Sequence, residues 1–245
     1  MKKYYAYGNL AGMEVCYEFS FSDTIRNFGR WLKNADGPVE GLIKIPEEDI
    51  QYFSSKFSLP FDSYAEYSFS VFKTCDFLMD HGRIVLHSVA FVLDGKAYLI
   101  SGRSTVDKST QYRNLREIYG DRISIINGDK PILRFTEKEI EVCPSPWRGK
   151  EGFGSDDLKA PLGGIIMLRQ GPENVMTRCP EKESVKFLMQ RILSSYDDAA
   201  SLRNAASYTE AIVRSVPVWK LVNRGDLESS EMIYDAIMEN KRNDG

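Results

Sequence analysis

The stretch from Ala97 to Thr110 constrains this chain more than any other. An apolar run, Ala97-Tyr98-Leu99-Ile100, leads into Ser101-Gly102-Arg103-Ser104-Thr105-Val106-Asp107-Lys108-Ser109-Thr110, and a helix-like run starts near Ser109. A strand, a turn ending in Lys-Ser and then a helix is the setting of a phosphate-binding P-loop. Its backbone N–H groups wrap the phosphates and the helix turns its positive end toward them. The pattern asks for Gly, four residues, then Gly-Lys-Ser/Thr. Gly102, Lys108 and Ser109 are in place, but Asp107 stands at the second glycine. Lysine neutralises the outer phosphates, the next hydroxyl holds Mg2+, and glycines permit close backbone approach. A carboxylate at position 107 opposes that ligand, so the same ten residues point to a nucleoside triphosphate and to a lesion in its site.

The chain has 245 residues, 42% of them hydrophobic and 27% charged, which suits one large domain or two small ones. Its net charge of −3 gives no basic footprint for nucleic acid. No apolar run reaches the ~18 residues of a membrane span, and Met1-Lys2-Lys3-Tyr4-Tyr5 lacks the apolar core of a signal peptide. The four cysteines, Cys16, Cys75, Cys143 and Cys179, have no metal spacing and read as buried, reduced thiols of a cytoplasmic protein. With His81 and His87 alone, a zinc site is not expected.

Residues 4–19 alternate around Gly8-Asn9 and Gly12 and predict a strand pair. Asp23 is placed to cap a short helix through Phe28 and Trp31. Leu42–Ile45 reads as a strand, and Pro46-Glu47-Glu48-Asp49 opens a helix to about Phe57. Tyr64, Tyr67, Val71, Thr74 and Leu78 share a helical face that reads as core, although Tyr67–Val71 also alternates as a strand would. Residues 84–92 predict one strand, Asp94-Gly95 a tight turn, and 96–100 the returning strand that feeds the loop. A helix from Ser109 to Tyr119 stops at Gly120. Strands are expected at 123–126, 132–135, 140–143, 164–168 and 217–221, and helices near 181–194, 197–214 and 228–240. The organisation expected is an α+β portion over 1–79 packed on a core over 80–245.

A P-loop needs a carboxylate at the end of a neighbouring strand to hold Mg2+ directly or through water. Asp129 falls there, after the strand 123–126; a turn-forming role is the alternative. The loop Ser145-Pro146-Trp147-Arg148-Gly149-Lys150-Glu151-Gly152 carries further functional residue types.

The order Leu86-His87-Ser88-Val89-Ala90, Asp94-Gly95-Lys96-Ala97-Tyr98, Ser101-Gly102-x-Ser104, Lys108-Ser109-Thr110, Ile126-Asn127-Gly128-Asp129-Lys130-Pro131 and Ser145-Pro146-Trp147-x-Gly149-Lys150 resembles the HPr kinase-related P-loop proteins of the phosphoenolpyruvate carboxykinase-like fold, in their small PqqD-associated branch. The resemblance covers about residue 80 to the C-terminus and extends weakly to residue 1. It implies an α/β fold with mixed sheets and flanking helices. Gly102, Ser104, Lys108, Ser109 and Thr110 would cradle the phosphates of ATP or another nucleoside triphosphate, and Ser109 and Asp129 would hold Mg2+. Lys108, Asp129 and His87 would serve catalysis, and Trp147 and Lys150 would border the acceptor or the phosphates. For His87 a hydrogen-bonded core histidine is the alternative, and for Trp147 and Lys150 a surface loop.

The family has two adjacent aspartates at the second acidic site, where this chain has Gly128 before Asp129, and glycines where it has Thr105 and Asp107. The activity implied is Mg·ATP-dependent phosphoryl transfer to a hydroxyl of a peptide, protein or small molecule, with a PqqD-like protein as an implied partner and neither nucleic acid nor membrane. The rival is a non-catalytic pseudokinase or binding protein of a peptide-modification pathway. A carboxykinase reaction is a third reading, set against by a chain less than half the length expected of that family.

Overall fold

The computed structural model describes residues 2–33, 39–103, 108–195 and 199–243. Ser104, Thr105 and Asp107 lie outside them, as does the pairing of Asp107 with any neighbour. The fold is mixed α/β with flanking helices, and the chain divides into two compact units: residues 1–81 with 193–201, and residues 82–192 with 202–245.

In the first unit, β1 (Tyr4–Leu10) and β2 (Met13–Phe19) form a hairpin, and β3 (Gly41–Lys44) pairs parallel to β2. Three helices accompany this sheet: α1 (Asp23–Asn27), α2 (Glu47–Phe57) and α3 (Ser63–Met79). The helix and strand readings of 62–79 are separated by Asp62, whose carboxylate accepts from the N–H groups of Tyr64 (2.9 Å) and Ala65 (3.0 Å) and so starts α3 as a helix. The α3 core face differs from the expected stripe. Tyr64 is exposed, while Ala65 and Glu66 are buried beside Val71, Thr74 and Leu78. Glu66 is fully buried because it finds donors: the N–H groups of Ser20 (2.6 Å) and Phe21 (3.1 Å) and the Thr24 hydroxyl (2.5 Å). Asp23 does not cap α1. Ser22 holds the cap position, and Asp23 lies within the first turn paired to Arg26.

The second unit is built on a nine-stranded mixed sheet. Its strands are β4 (Arg83–Val85), β5 (Ser88–Leu93), β6 (Lys96–Ser101), β7 (Ile123–Asn127), β8 (Ile132–Phe135), β9 (Ile140–Cys143), β10 (Ala160–Gln170), β11 (Val175–Arg178) and β12 (Val218–Asn223). The order β4-β8-β9-β10-β6-β5-β7 is extended by β12, which pairs parallel to β10, and β11, which pairs antiparallel to β12. The helices are α4 (Lys108–Tyr119), α5 (Glu181–Met189), α6 (Ala199–Ser215) and α7 (Leu227–Asn243). The half-exposed strand β11 escaped the sequence reading because Val-Met-Thr-Arg carries little apolar signal and depends on its β12 partner.

The stretch 84–92 is two strands, not one. β4 pairs with β8, β5 pairs with β6 and β7, and the chain breaks its ladder at Leu86-His87. There the Leu86 N–H donates to Pro131 O (3.2 Å) and the His87 N–H to Arg191 O (2.9 Å). Apolar content carries across the break, so composition does not show it. All four cysteines are buried, and burial pushes the Cys143 thiol up to about 12. Among the described residues no helix is long and apolar enough to cross a membrane.

Helix α4 is fixed by a buried polar network. Gln111 Nε2 donates to Ser229 Oγ (2.8 Å) and Asn223 Oδ1 (3.3 Å), and its Oε1 accepts from Ser230 Oγ (2.7 Å). Replacing Gln111 by leucine keeps the volume and strands these partners, each at about 1–3 kcal/mol. We expect Gln111→Leu to lower stability by roughly 2–3 kcal/mol, measured by urea unfolding followed through tryptophan fluorescence. An unchanged midpoint would show that the network does not hold the helix.

Candidate active site

The strand–loop–helix expected from the sequence is present at its two ends. β6 lies between β5 and β10 and ends at Ser101, with Gly102 buried after it. Lys108 opens the twelve-residue helix α4 and is 8% exposed, while Ser109 and Thr110 are half-buried in its first turn. The first N–H groups of such a helix have no intrahelical acceptor and carry partial positive charge, which suits an anion.

At the same end of the sheet, the break after β4 places His87 outside the ladder. Its carbonyl accepts from Ser101 Oγ (2.7 Å), which ties it to the end of β6. Its Nε2 donates to Asp129 Oδ1 at 3.1 Å, with both side chains about four-fifths buried. A carboxylate only accepts, so Nε2 carries a proton, and whenever the ring is neutral Nδ1 is its acceptor nitrogen.

Asp129 is not the turn former here; Asn127 is. The fully buried Asn127 accepts at Oδ1 from the N–H groups of Asp129 (2.9 Å) and Lys130 (2.7 Å). Its Nδ2 donates to Ser145 O and Oγ, both at 3.1 Å. This leaves the Asp129 carboxylate outside the turn, with Oδ1 on His87 and Oδ2 on Lys130 Nζ. Burial pushes the Asp129 carboxyl up, but the His87 hydrogen bond and the Lys130 charge overcome it and hold the group at about 2.

The 145–155 loop lies over this turn. The Gly128 N–H donates to Phe153 O (2.9 Å) and the Ser155 N–H to Ile126 O (3.0 Å). A side chain at Gly128 would meet Phe153 O at 2.9 Å and Arg148 O at 3.0 Å, so this packing has no room for a second carboxylate. Gly149, at φ +74°, lies so near Asp129 that a Cβ would be 3.0 Å from the aspartate Cβ. Trp147 is 3% exposed and thus packed inside the protein rather than presented to solvent; Lys150 is exposed. Loop and helix are joined by the Tyr112–Phe153 ring contact (centroids 5.7 Å apart) and the Arg113–Glu151 ion pair. Ser109, Tyr112 and Arg113 share one face of α4 at i, i+3, i+4 spacing.

Among the described residues no three His, Cys, Asp or Glu side chains converge as a metal cluster. A hydroxyl in the first helical turn and one firmly ionised carboxylate fit Mg2+ better than a softer metal, since Mg2+ commonly takes one or two carboxylates and completes its shell with phosphates and water. Asn127, Ser145 and Gly149 stand in the sequence motifs without a role assigned to them. The signal for Asn127 was its place before Gly-Asp, a pattern that favours side-chain-capped turns.

The depressed Asp129 titration carries a linkage. Its contribution is fully present above the ordinary value of 3.8 and is lost as pH falls through about 2. We expect Asp129→Asn to cost about 2 kcal/mol of stability at neutral pH. The gap from the parent protein should close as pH falls across that window, read by denaturant unfolding at each pH. A gap that does not narrow would mean the carboxylate charge is not what stabilises the turn.

The chain matches no family model and no curated protein. Among solved structures, the HPr(Ser) kinase/phosphatase from Coxiella burnetii is similar over 64% of this chain and 90% of its own, with 12% identity and a TM-score of 0.34. So distant a likeness carries no functional assignment, which must rest on the side chains described above.

Proposed function

We propose that the second unit transfers the γ-phosphoryl group of ATP to a hydroxyl of a peptide, protein or small-molecule acceptor. The observation that carries this reading is the His87–Asp129 pair, held at the end of the sheet where β6 leads toward Lys108 and Ser109. A phosphoryl-transfer site needs phosphate neutralisation, a positioned acceptor and a route for the acceptor proton.

Lys108 and the α4 N-terminus supply the first. His87 supplies the third: Asp129 fixes Nε2, which leaves Nδ1 to take the proton from the acceptor hydroxyl. The ionised Asp129 stabilises the imidazolium that results. Ser109 and Asp129 are the residues that would hold Mg2+, whose chemistry when bound is neutralisation of charge on the transferred group. With position 128 closed to a side chain, the base role falls to the histidine rather than to a second aspartate.

The non-catalytic reading rests on Thr105 and Asp107, which replace loop glycines. Calorimetric titration with Mg·ATP bears on both readings. We expect measurable binding, weakened roughly 10- to 100-fold by Lys108→Ala through loss of a charge-assisted contact. The double variant Thr105→Gly/Asp107→Gly should bind more tightly. Undiminished affinity in Lys108→Ala would place the nucleotide elsewhere.

Turnover separates the two readings. Slow ATP hydrolysis, with water standing in for the acceptor, should fall about 100-fold or more in His87→Ala while Mg·ATP affinity stays within a factor of two. Binding without any turnover in the parent protein would favour the non-catalytic reading.

A further inference from the structure

The same end of the sheet carries two arginines that the phosphoryl-transfer reading does not use. Arg191 follows α5 by two residues, and its carbonyl accepts the His87 N–H at 2.9 Å. Arg103 follows Ser101, whose hydroxyl donates to the His87 carbonyl, by two residues. The Arg191 backbone is thus fastened to His87 directly, and Arg103 lies two residues beyond the serine whose side chain is.

Arg191 lays its guanidinium over the Phe187 ring at 5.3 Å, and its Nε is buried without a hydrogen-bond partner among the described residues. Neither arginine has a carboxylate partner among those residues, in contrast to Arg113, Arg134, Arg148 and Arg169. Burial lowers the Arg191 pKa, and the nearby Arg103 charge lowers it further. A partly buried guanidinium within the field of a second cation costs free energy that a bound anion recovers. The planar fork of arginine suits the paired oxygens of phosphate or carboxylate.

We propose that Arg103 and Arg191 form an oxyanion clamp beside His87 that holds an anionic group, phosphate or carboxylate, of the acceptor. This rests on the phosphoryl-transfer reading above. Arg191 belongs to the His87 side of the site, whereas the nucleotide phosphates fall to Lys108 and the α4 N-terminus. The acceptor is accordingly an acidic molecule, its hydroxyl set near Nδ1 by the clamp.

The test titrates the full chain with orthophosphate, malonate and Mg·ATP separately. We expect orthophosphate or malonate to bind, the tighter of the two identifying the anion. Arg191→Gln should raise its Kd about tenfold or more and leave the Mg·ATP Kd within a factor of two; Lys108→Ala should weaken Mg·ATP more than the small anion. Should Arg191→Gln fail the circular dichroism check, Arg191→Lys, which keeps the charge and removes the planar fork, makes the same comparison. Failure of both anions to bind, unchanged anion affinity in the variants, or equal weakening of Mg·ATP would overturn the clamp. Anion binding that depends on Arg191 with no Mg·ATP binding would keep the anion site and remove the phosphoryl-transfer reading instead.

Discussion

The candidate site depends on the side chain of one buried amide, Asn127. It accepts two successive N–H groups after β7 and donates to Ser145, so one residue fixes both the turn bearing Asp129 and the start of the loop that covers it. Ser145 Oγ closes the circuit by donating to Lys130 O at 2.5 Å. A fully buried amide whose hydrogen bonds are met is rigid, because every alternative rotamer strands polar groups away from water. That rigidity is what offers the Asp129 carboxylate to His87 rather than to its own backbone.

From this turn the charge balance follows. Asp129 is flanked by His87 and Lys130, and these partners outweigh the cost of burying it. The loop over the turn is held from two sides, by backbone hydrogen bonds to β7 and by Tyr112 and Arg113 of α4. The helix that opens with Lys108 is in turn locked by Gln111 to β12 and α7. The groups proposed to face phosphate and to accept the proton thus sit on separate elements, each anchored by its own buried polar contacts. In the proposed reaction such anchoring would serve positioning, which is the need of phosphoryl transfer.

Much of the fold was legible because its signals are local. Asp94-Gly95 adopts positive φ at both residues (49° and 79°), as a tight hairpin turn between right-twisted strands requires. Asp62 starts α3 through its own carboxylate, and Pro46 with three acidic residues starts α2. The errors arose where the deciding contact is distant in sequence. The break at Leu86-His87 is made by Pro131 and Arg191, and β11 exists through its pairing with β12. Trp147 reads as a loop aromatic yet is buried, because its neighbours fold back over β7.

The sequence by itself determined the strand that ends at Ser101 and the helix that opens near Lys108, the candidacy of Asp129 and His87, and the position of most elements. Those properties follow from residue types at short spacing, through backbone conformation, capping and periodicity. Tertiary structure alone decided which partners each candidate has. It made Asn127 the turn former, placed Asp129 on His87, closed position 128 to a side chain and brought Arg191 to the His87 backbone. The physical reason is that hydrogen-bond partnership and steric room are set by groups tens of residues away. Packing brings those groups together, and local pattern does not record it.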